Sequence, residues 1–215
     1  MIYLICGAML LTCYFLGCFN GAVIVSKYIL RDDIRDHGSG NAGLTNFYRT
    51  FGGGLTFVVI LTDMLKGVFS ILLANFVVSY LTIDAYAVNL QYAAALSCML
   101  GHIFPATFHF KGGKGILTGG AIILMLDWRI ALLVWVSFFI LFLSTRYVSL
   151  GSCFAGVAFT LSTAYFYPDL VTVLLASIIG GLLLWGHRTN IQRLIKGEEN
   201  RFQLRKSKQN QPKEG

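Results

Sequence analysis

Gly101-His102-Ile103-Phe104-Pro105, followed four residues later by Phe110-Lys111-Gly112-Gly113-Lys114-Gly115, is the stretch on which the reading of this chain turns. Its first half closes a long apolar run and its second half opens another. Two lysines and three glycines therefore meet at a membrane surface. Glycine lets backbone amides approach an oxyanion without side chains in the way, and lysine supplies the counter-charge. A lysine-glycine pair beside a membrane helix also serves as a snorkelling anchor and a turn. Two such pairs separated by one glycine, behind His-x-Phe-Pro, point instead to a phosphate site. The nucleotide P-loop is excluded, because position 108 is Phe where it needs Gly and position 115 is Gly where it needs Ser or Thr.

Outward from this stretch, composition sets the class. Of 215 residues, 56% are hydrophobic and 13% charged, against about 45–50% and 25% in soluble domains. The expectation is an all-α polytopic membrane protein with a single membrane-embedded domain over 1–206 and a disordered polar tail over 207–215. The net charge of +7 gathers at segment ends, as topology requires, which argues against nucleic acid as partner. Cys6, Cys13, Cys18, Cys98 and Cys153 lie inside apolar stretches without a Cys-x-x-Cys pair and read as small hydrophobes, with no metal site and no disulfide framework. The first charge is Lys27, so the first apolar run reads as a retained span and not as a cleaved leader.

Ile2–Ile29, Leu55–Leu81 and Ala85–Phe104 are each long enough to cross a core that needs about 20 helical residues. The later runs, Ile116–Leu126, Ile130–Thr145, Ser152–Tyr167 and Leu170–Gly186, are shorter. Seven transmembrane helices are expected, with five plus a re-entrant pair as the alternative. With the N-terminus outside and the C-terminus cytoplasmic, all of the 17 Lys and Arg except Arg129 and the intramembrane Lys66 fall on the cytoplasmic side.

Four further stretches carry candidate chemistry, three of them at the cytoplasmic edge and one within a span. In Gly38-Ser39-Gly40-Asn41-Ala42-Gly43-Leu44-Thr45-Asn46-Phe47-Tyr48-Arg49, three glycines with Ser and Asn make a backbone able to wrap an anion. A short helix capped by Asn41 would place Thr45, Asn46 and Arg49 on one face, and Arg suits bidentate phosphate recognition. Asp63 and Lys66 sit three apart inside the second span, and the reading is a structural one, in which they neutralise each other or orient polar groups from neighbouring helices. Ser149 and Ser152 begin another segment. From His187 onward, His187, Asn190, Ile191, Leu194 and Ile195 share one helical face and Arg188, Gln192, Arg193 and Lys196 the other, the pattern of an interfacial helix.

Taken together, 38–49, Asp63-x-x-Lys66-Gly67, 101–105 with 110–115, Arg146-Tyr147-Val148-Ser149 and His187-Arg188-x-Asn190-Ile191 with Arg193-Leu194 closely resemble the bacterial acyl-phosphate:glycerol-3-phosphate acyltransferases. These integral membrane enzymes transfer a fatty acyl group from acyl phosphate to the 1-hydroxyl of glycerol 3-phosphate, the first step of phospholipid synthesis. The resemblance covers about residues 20–199. It departs at Ala42 and Leu44, often Pro and Ala in the family, and at Ile116-Leu117, where Val-Ala is common. It implies an inner-membrane enzyme with its site at the cytoplasmic face, acyl phosphate, glycerol 3-phosphate and the bilayer as partners, no cofactor and no obligate protein partner. The roles expected are catalytic for Ser39, Asn41, Lys114 and His187. Substrate binding falls to Gly38, Gly40, Gly43, Thr45, Asn46, Arg49, Lys111, Gly112, Gly113, Gly115, Ser149, Ser152 and Asn190. Ser39, Gly40, Asn41, Thr45 and Asn46 are assigned to the acyl-phosphate head, and Arg49, Lys114, His187 and Asn190, with Ser149 or Ser152, to glycerol 3-phosphate. His187 reads as a phosphate donor in preference to a base. The His with Asp five residues later, used by soluble-faced acyltransferases, is absent: those positions are Ala42, Thr107, Lys114 and Gln192. The competing class is a transporter of a phosphorylated metabolite, which would show an internal repeat and a midplane site; neither is evident.

Overall fold

Apolar runs punctuated by Gly, Asp and Arg give ten α-helices over residues 1–202, which the computed structural model describes; the proposed boundary at 206 and the tail 207–215 lie outside the described residues. In order they are α1 (Ile2–Cys18), α2 (Gly21–Ile24, continuing as a π-helical turn, Val25–Ile29), α3 (Leu44–Thr50), α4 (Leu55–Leu81), α5 (Ala87–Ile103), α6 (Ile116–Leu126), α7 (Trp128–Thr145), α8 (Val148–Phe166), α9 (Leu170–Gly186) and α10 (Arg188–Ile195). No strand occurs among the described residues.

The bundle is built around α5, which packs on α1, α4, α6 and α9, while α7 joins α6 to α8 and α8 leans on α9. Lipid tails are as apolar as leucine, so helices in a bilayer associate through close packing of small residues. The crossings follow that rule. A Cβ on Gly101 of α5 would run into the Tyr14 carbonyl of α1 and stand 3.0 Å from the Gly17 Cα. One on Gly67 of α4 would meet the Thr118 carbonyl of α6 at 2.9 Å, and one on Gly180 of α9 the Gly156 carbonyl of α8 at 2.9 Å.

Three elements differ from the expectation. The run from Ile2 to Ile29 is not one helix: it bends by 45° after Cys18. The Asn20 side chain accepts the Val23 amide at 3.0 Å and starts a new helix, while the Phe19 carbonyl turns to the Lys66 ammonium at 2.9 Å. Two runs read as short are longer, because α7 begins at Trp128 with Asp127 accepting the Arg129 amide, and α8 takes in Val148–Gly151; they reach 18 and 19 residues. The division between α9 and α10 falls where the sequence put it, with a 58° bend between them. Among the described residues, four helical stretches are long and apolar enough to span, or six if each bent pair counts as one span. The 11-residue α6 rises only about 16 Å at 1.5 Å per residue. Cys13, Cys18 and Cys98 are buried, Cys6 and Cys153 half-buried, and all five are free thiols.

Candidate active site

Beneath the site lies a buried polar hub. Asp63 and Lys66, one turn apart on α4, pair at 2.8 Å with side chains 2% and 3% exposed. The Lys66 ammonium also reaches His102 Nδ1 of α5 at 2.6 Å and the Phe19 carbonyl, and Asp63 accepts the Gly21 amide at 3.2 Å. A pair placed in a low-dielectric interior persists when its remaining protons and lone pairs are satisfied. Here the break between α1 and α2 and the end of α5 satisfy them, which is the orienting role read from the sequence.

Two loops rest on this hub. Asn20 donates to the Ala42 carbonyl at 3.0 Å, tying 31–43 to the break before α2, and Arg35 donates to the Phe108 carbonyl at 3.0 Å, stitching 31–43 to 104–115. His109 and Phe110 both take left-handed φ (57° and 58°), reversing the chain along the end of α5. The amides of Gly112 and Gly113 then donate to the Ile103 and His102 carbonyls at 3.2 and 3.1 Å. Those are the orphan acceptors of the last turn of α5. Gly112 and Gly113 therefore cap a helix and do not present amides to a ligand. They must be glycine because a Cβ on either would strike His102. Lys111 is exposed and outside the cavity; Lys114 alone turns inward.

The first motif is shaped from within. The Asn46 carbonyl oxygen accepts the Ser39 amide at 3.1 Å, and its amide nitrogen donates to the Ile34, His37 and Asn41 carbonyls. Asn46 thus organises the loop, with Gly38 and Gly40 at left-handed φ outside the cavity. The cap of α3 is Gly43 and not Asn41. That leaves the Asn41 side chain free, and Thr45, Asn46 and Arg49 still share the face expected of them.

These parts enclose a cavity of about 290 Å³. Ser39, Asn41, Gly43, Thr45, Asn46 and Arg49 form one wall, Lys114 and Gly115 a second, and Ser149, Ser152, His187 and Asn190 a third, above a floor of Asp63 and His102. Five distant stretches of chain converge on one chamber. It adjoins a smaller apolar chamber of about 60 Å³ among α5–α9, and Gly115, Ile116, Trp135 and Phe138 border both. The Trp135 indole N–H is buried at this junction without a partner among the described residues.

Electrostatics differentiate the polar groups. Burial, helped by nearby Arg193, lowers the Lys114 ammonium to about 8. Burial and the Lys114 charge push His187, one residue past α9, down to about 4, so its imidazole is neutral at pH 7. Its Nδ1 donates to the Leu183 carbonyl at 2.8 Å. A neutral ring with its proton on Nδ1 leaves Nε2 as an acceptor.

Residues missed in the sequence complete the chamber. Arg193, read as facing away, turns to the cavity and donates from Nε to Glu199 Oε2 at 2.8 Å. Glu199 and Asn200 line the cavity from the segment after α10, with Trp135 and Phe138 opposite. This segment is tied down: Phe202 donates its amide to the Arg146 carbonyl at 2.8 Å and packs against Tyr48 and Phe142, and Arg49 reaches the Asn200 carbonyl at 3.5 Å. The available signal was Gly197, whose left-handed φ of 71° ends α10 and folds the chain back.

Comparison with known proteins is consistent over about nine-tenths of the chain. A family profile described as glycerol-3-phosphate acyltransferase matches residues 7–197. Proteins named glycerol-3-phosphate acyltransferase from Finegoldia magna and Coxiella burnetii are 35% and 38% identical over 195 and 197 residues, covering 89% of this chain in each case and 93% and 95% of theirs. Crystal structures of PlsY (YgiH), an integral membrane glycerol 3-phosphate acyltransferase, superpose with TM-scores of 0.81 for the glycerol 3-phosphate form and 0.77 for the lysophosphatidic acid form. They are 32% identical and cover 92% and 93% of this chain and 96% of theirs.

Proposed function

Since the chain belongs to the glycerol-3-phosphate acyltransferase family and is thereby an acyltransferase, we propose that it transfers a fatty acyl group from acyl phosphate to the 1-hydroxyl of glycerol 3-phosphate, releasing lysophosphatidic acid and phosphate. The observation that carries this reading is the polar cavity built from the five motif stretches, which shares Gly115, Ile116, Trp135 and Phe138 with an adjoining apolar chamber. Two phosphorylated substrates call for clustered cations and hydroxyls, and one acyl chain calls for an apolar slot that shares a wall with them.

In this reading glycerol 3-phosphate lies against Lys114, Arg49, Asn190 and Ser149. The acyl phosphate head lies against Ser39, Asn41 and Thr45, with its chain past Trp135 and Phe138. Acyl phosphate is a mixed anhydride, so positioning and oxyanion stabilisation carry most of the task. The 1-hydroxyl attacks the acyl carbonyl carbon, and His187 Nε2 takes its proton. The tetrahedral oxyanion collapses, the carbon–oxygen bond to phosphate breaks, and the proton returns to the departing phosphate. The sequence pattern suggested His187 as a phosphate donor. The Nδ1–Leu183 bond and the neutral ring favour the acceptor role instead, and an incoming dianion raises its basicity.

In this reading the chain crosses seven times, with the short α6 as one crossing, and the site faces the cytoplasm at the inner membrane. Cysteines placed in the 207–215 tail are then labelled only from the cytoplasmic side; labelling of intact cells by an impermeant reagent would reverse the topology. The reaction itself is tested with radiolabelled glycerol 3-phosphate and purified protein. Product from acyl phosphate and none from acyl-CoA is the expected result. Turnover of acyl-CoA alone would refute the donor assignment.

A further inference from the structure

The segment after α10 holds a carboxylate where a phosphate-binding site should be rich in donors only. Glu199 is 7% exposed at its side chain, and it accepts from three of the cavity's polar groups: Ser149 Oγ and Asn190 Nδ2, both at 2.8 Å to Oε1, and Arg193 Nε at 2.8 Å to Oε2. Asn190 in turn accepts from the Lys114 ammonium at Oδ1. A carboxylate can only accept and an ammonium can only donate, so this arrangement admits one orientation of the Asn190 amide. Reversing the amide would set an NH₂ against the Lys114 ammonium and a carbonyl against the Glu199 carboxylate.

We propose that Glu199 is a positioning residue for the acyl acceptor: it fixes Asn190 with its carbonyl toward Lys114, and ties Ser149, Asn190 and Arg193 into a preset wall for the glycerol 3-phosphate phosphate group. The inference rests on the assignment of that substrate to this wall. Hydrogen bonds to Glu199 come from α8 and α10, and the strap that carries it is anchored at Arg146 and against Tyr48. One side chain thereby joins elements that approach the cavity from different sides. Paired with Arg193, its charge also opposes the repulsion between Arg193 and Lys114.

Charge balance gives a second consequence. Lys114 is faced by Cys153 of α8, His187 at the end of α9, Arg188 and Arg193 of α10, and Glu199 of the strap. Arg49 of α3, with Asp63 and His102 of the floor, lines the same chamber. Among the groups acting on Lys114, the Glu199 carboxylate is the main one favouring its charged form. Removing that charge makes Lys114 lose its proton at lower pH. A dianionic substrate also meets some repulsion from the carboxylate, and the proposal is that orientation outweighs it.

The test uses the full chain purified in detergent, comparing wild type with Glu199→Gln, Glu199→Asp, Asn190→Ala and Glu199→Gln/Asn190→Ala. Glycerol 3-phosphate affinity is read by calorimetry, and KM and kcat by turnover of acyl phosphate from pH 6 to 9.5. Glu199→Gln should weaken affinity and raise KM about ten- to thirtyfold, a change comparable to one charge-assisted hydrogen bond, with kcat changed less than about threefold. Its alkaline fall in kcat/KM should begin at lower pH than that of wild type. The two losses should be less than additive in the double variant, because part of the action of Glu199 runs through Asn190. Glu199→Asp should recover part of the loss and keep the wild-type alkaline limb. Tighter binding in Glu199→Gln would mean that the carboxylate competes with the substrate phosphate, and overturns the proposal, as does a wild-type profile. If Glu199→Gln is not monodisperse, Glu199→Asp with an unchanged limb and a raised KM still supports it, and a fully wild-type Glu199→Asp overturns it. A wild type that binds glycerol 3-phosphate without using acyl phosphate refutes the donor assignment alone, and the affinity measurements still decide the role of Glu199.

Discussion

Replacing Lys66 by Met separates the buried hub's structural role from a catalytic one. Lys66→Met keeps the length of the side chain and removes its charge. It leaves the Asp63 carboxyl at 2% side-chain exposure with the Gly21 amide as its remaining donor, strips the Phe19 carbonyl of the Lys66 ammonium, and leaves His102 Nδ1 with only Thr118 Oγ1 at 3.5 Å. Breaking a buried pair by removing one partner costs about 3–5 kcal/mol. For a chain of this size that cost lowers the midpoint of thermal unfolding by about 6–20 °C. Activity should fall with it, since Gly113 packs on His102 and the Ala42 carbonyl is held by Asn20, next to the displaced Phe19. Asp63→Asn with Lys66→Met removes both charges, and should recover more than half of the lost midpoint. The assay is thermal unfolding in detergent beside turnover at a temperature where every variant is folded. A Lys66→Met protein as stable as wild type but inactive would refute the structural account and move Lys66 into the chemistry.

Three other outcomes follow from the cavity. Lys114→Ala should lose at least a hundredfold in kcat/KM, the scale of two charge-assisted hydrogen bonds at about 1.5–3 kcal/mol each. Lys111→Ala should change it less than about threefold; equal, mild effects would return this stretch to a membrane anchor. In wild type, kcat/KM for glycerol 3-phosphate should fall above about pH 8, because Lys114 is charged below its depressed pKa and loses its charge as pH rises through it. The drop from pH 7 to pH 9 is about tenfold, from the change in the protonated fraction, and a flat profile over that range counts against Lys114 as the phosphate's counter-ion. Gly101→Val should prevent α1 and α5 from meeting at Gly17 and abolish monodisperse expression, whereas Gly7→Val, which meets nothing within 4 Å, should express normally.

Much of the site was legible because its chemistry is local in sequence. Lys114 between glycines, Ser149 three residues from Ser152, and His187 three from Asn190 are spacings that a helix or a tight turn converts directly into shared faces, and each lines the cavity. What depended on long-range closure was not legible. The amides of Gly112 and Gly113 seemed free for an anion until the reversal at His109–Phe110 brought them under α5. Asn41 had the right type and place for a cap, yet Asn46 took over the loop with four hydrogen bonds and the helix began at Gly43. The bend after Cys18 was hidden because Asn20 sits in an apolar run, and its effect needs the Lys66 ammonium from another helix. Glu199 was not legible by itself, because an acidic pair after Lys-Gly looks like a solvated helix end, and only the turn at Gly197 hinted that the chain folds back.

The strap also sets when the protein can begin to act during its synthesis. One wall of the chamber is made at Ser39 and another at Asn200. At about 5–20 residues per second, the ribosome needs roughly 8–30 s to travel between them. Through that interval the nascent chain has its first anion loop at the membrane but neither His187 nor the Glu199 that aligns Asn190. A half-inserted chain is therefore catalytically silent, and acyl transfer begins only when the last strap has been released and docked.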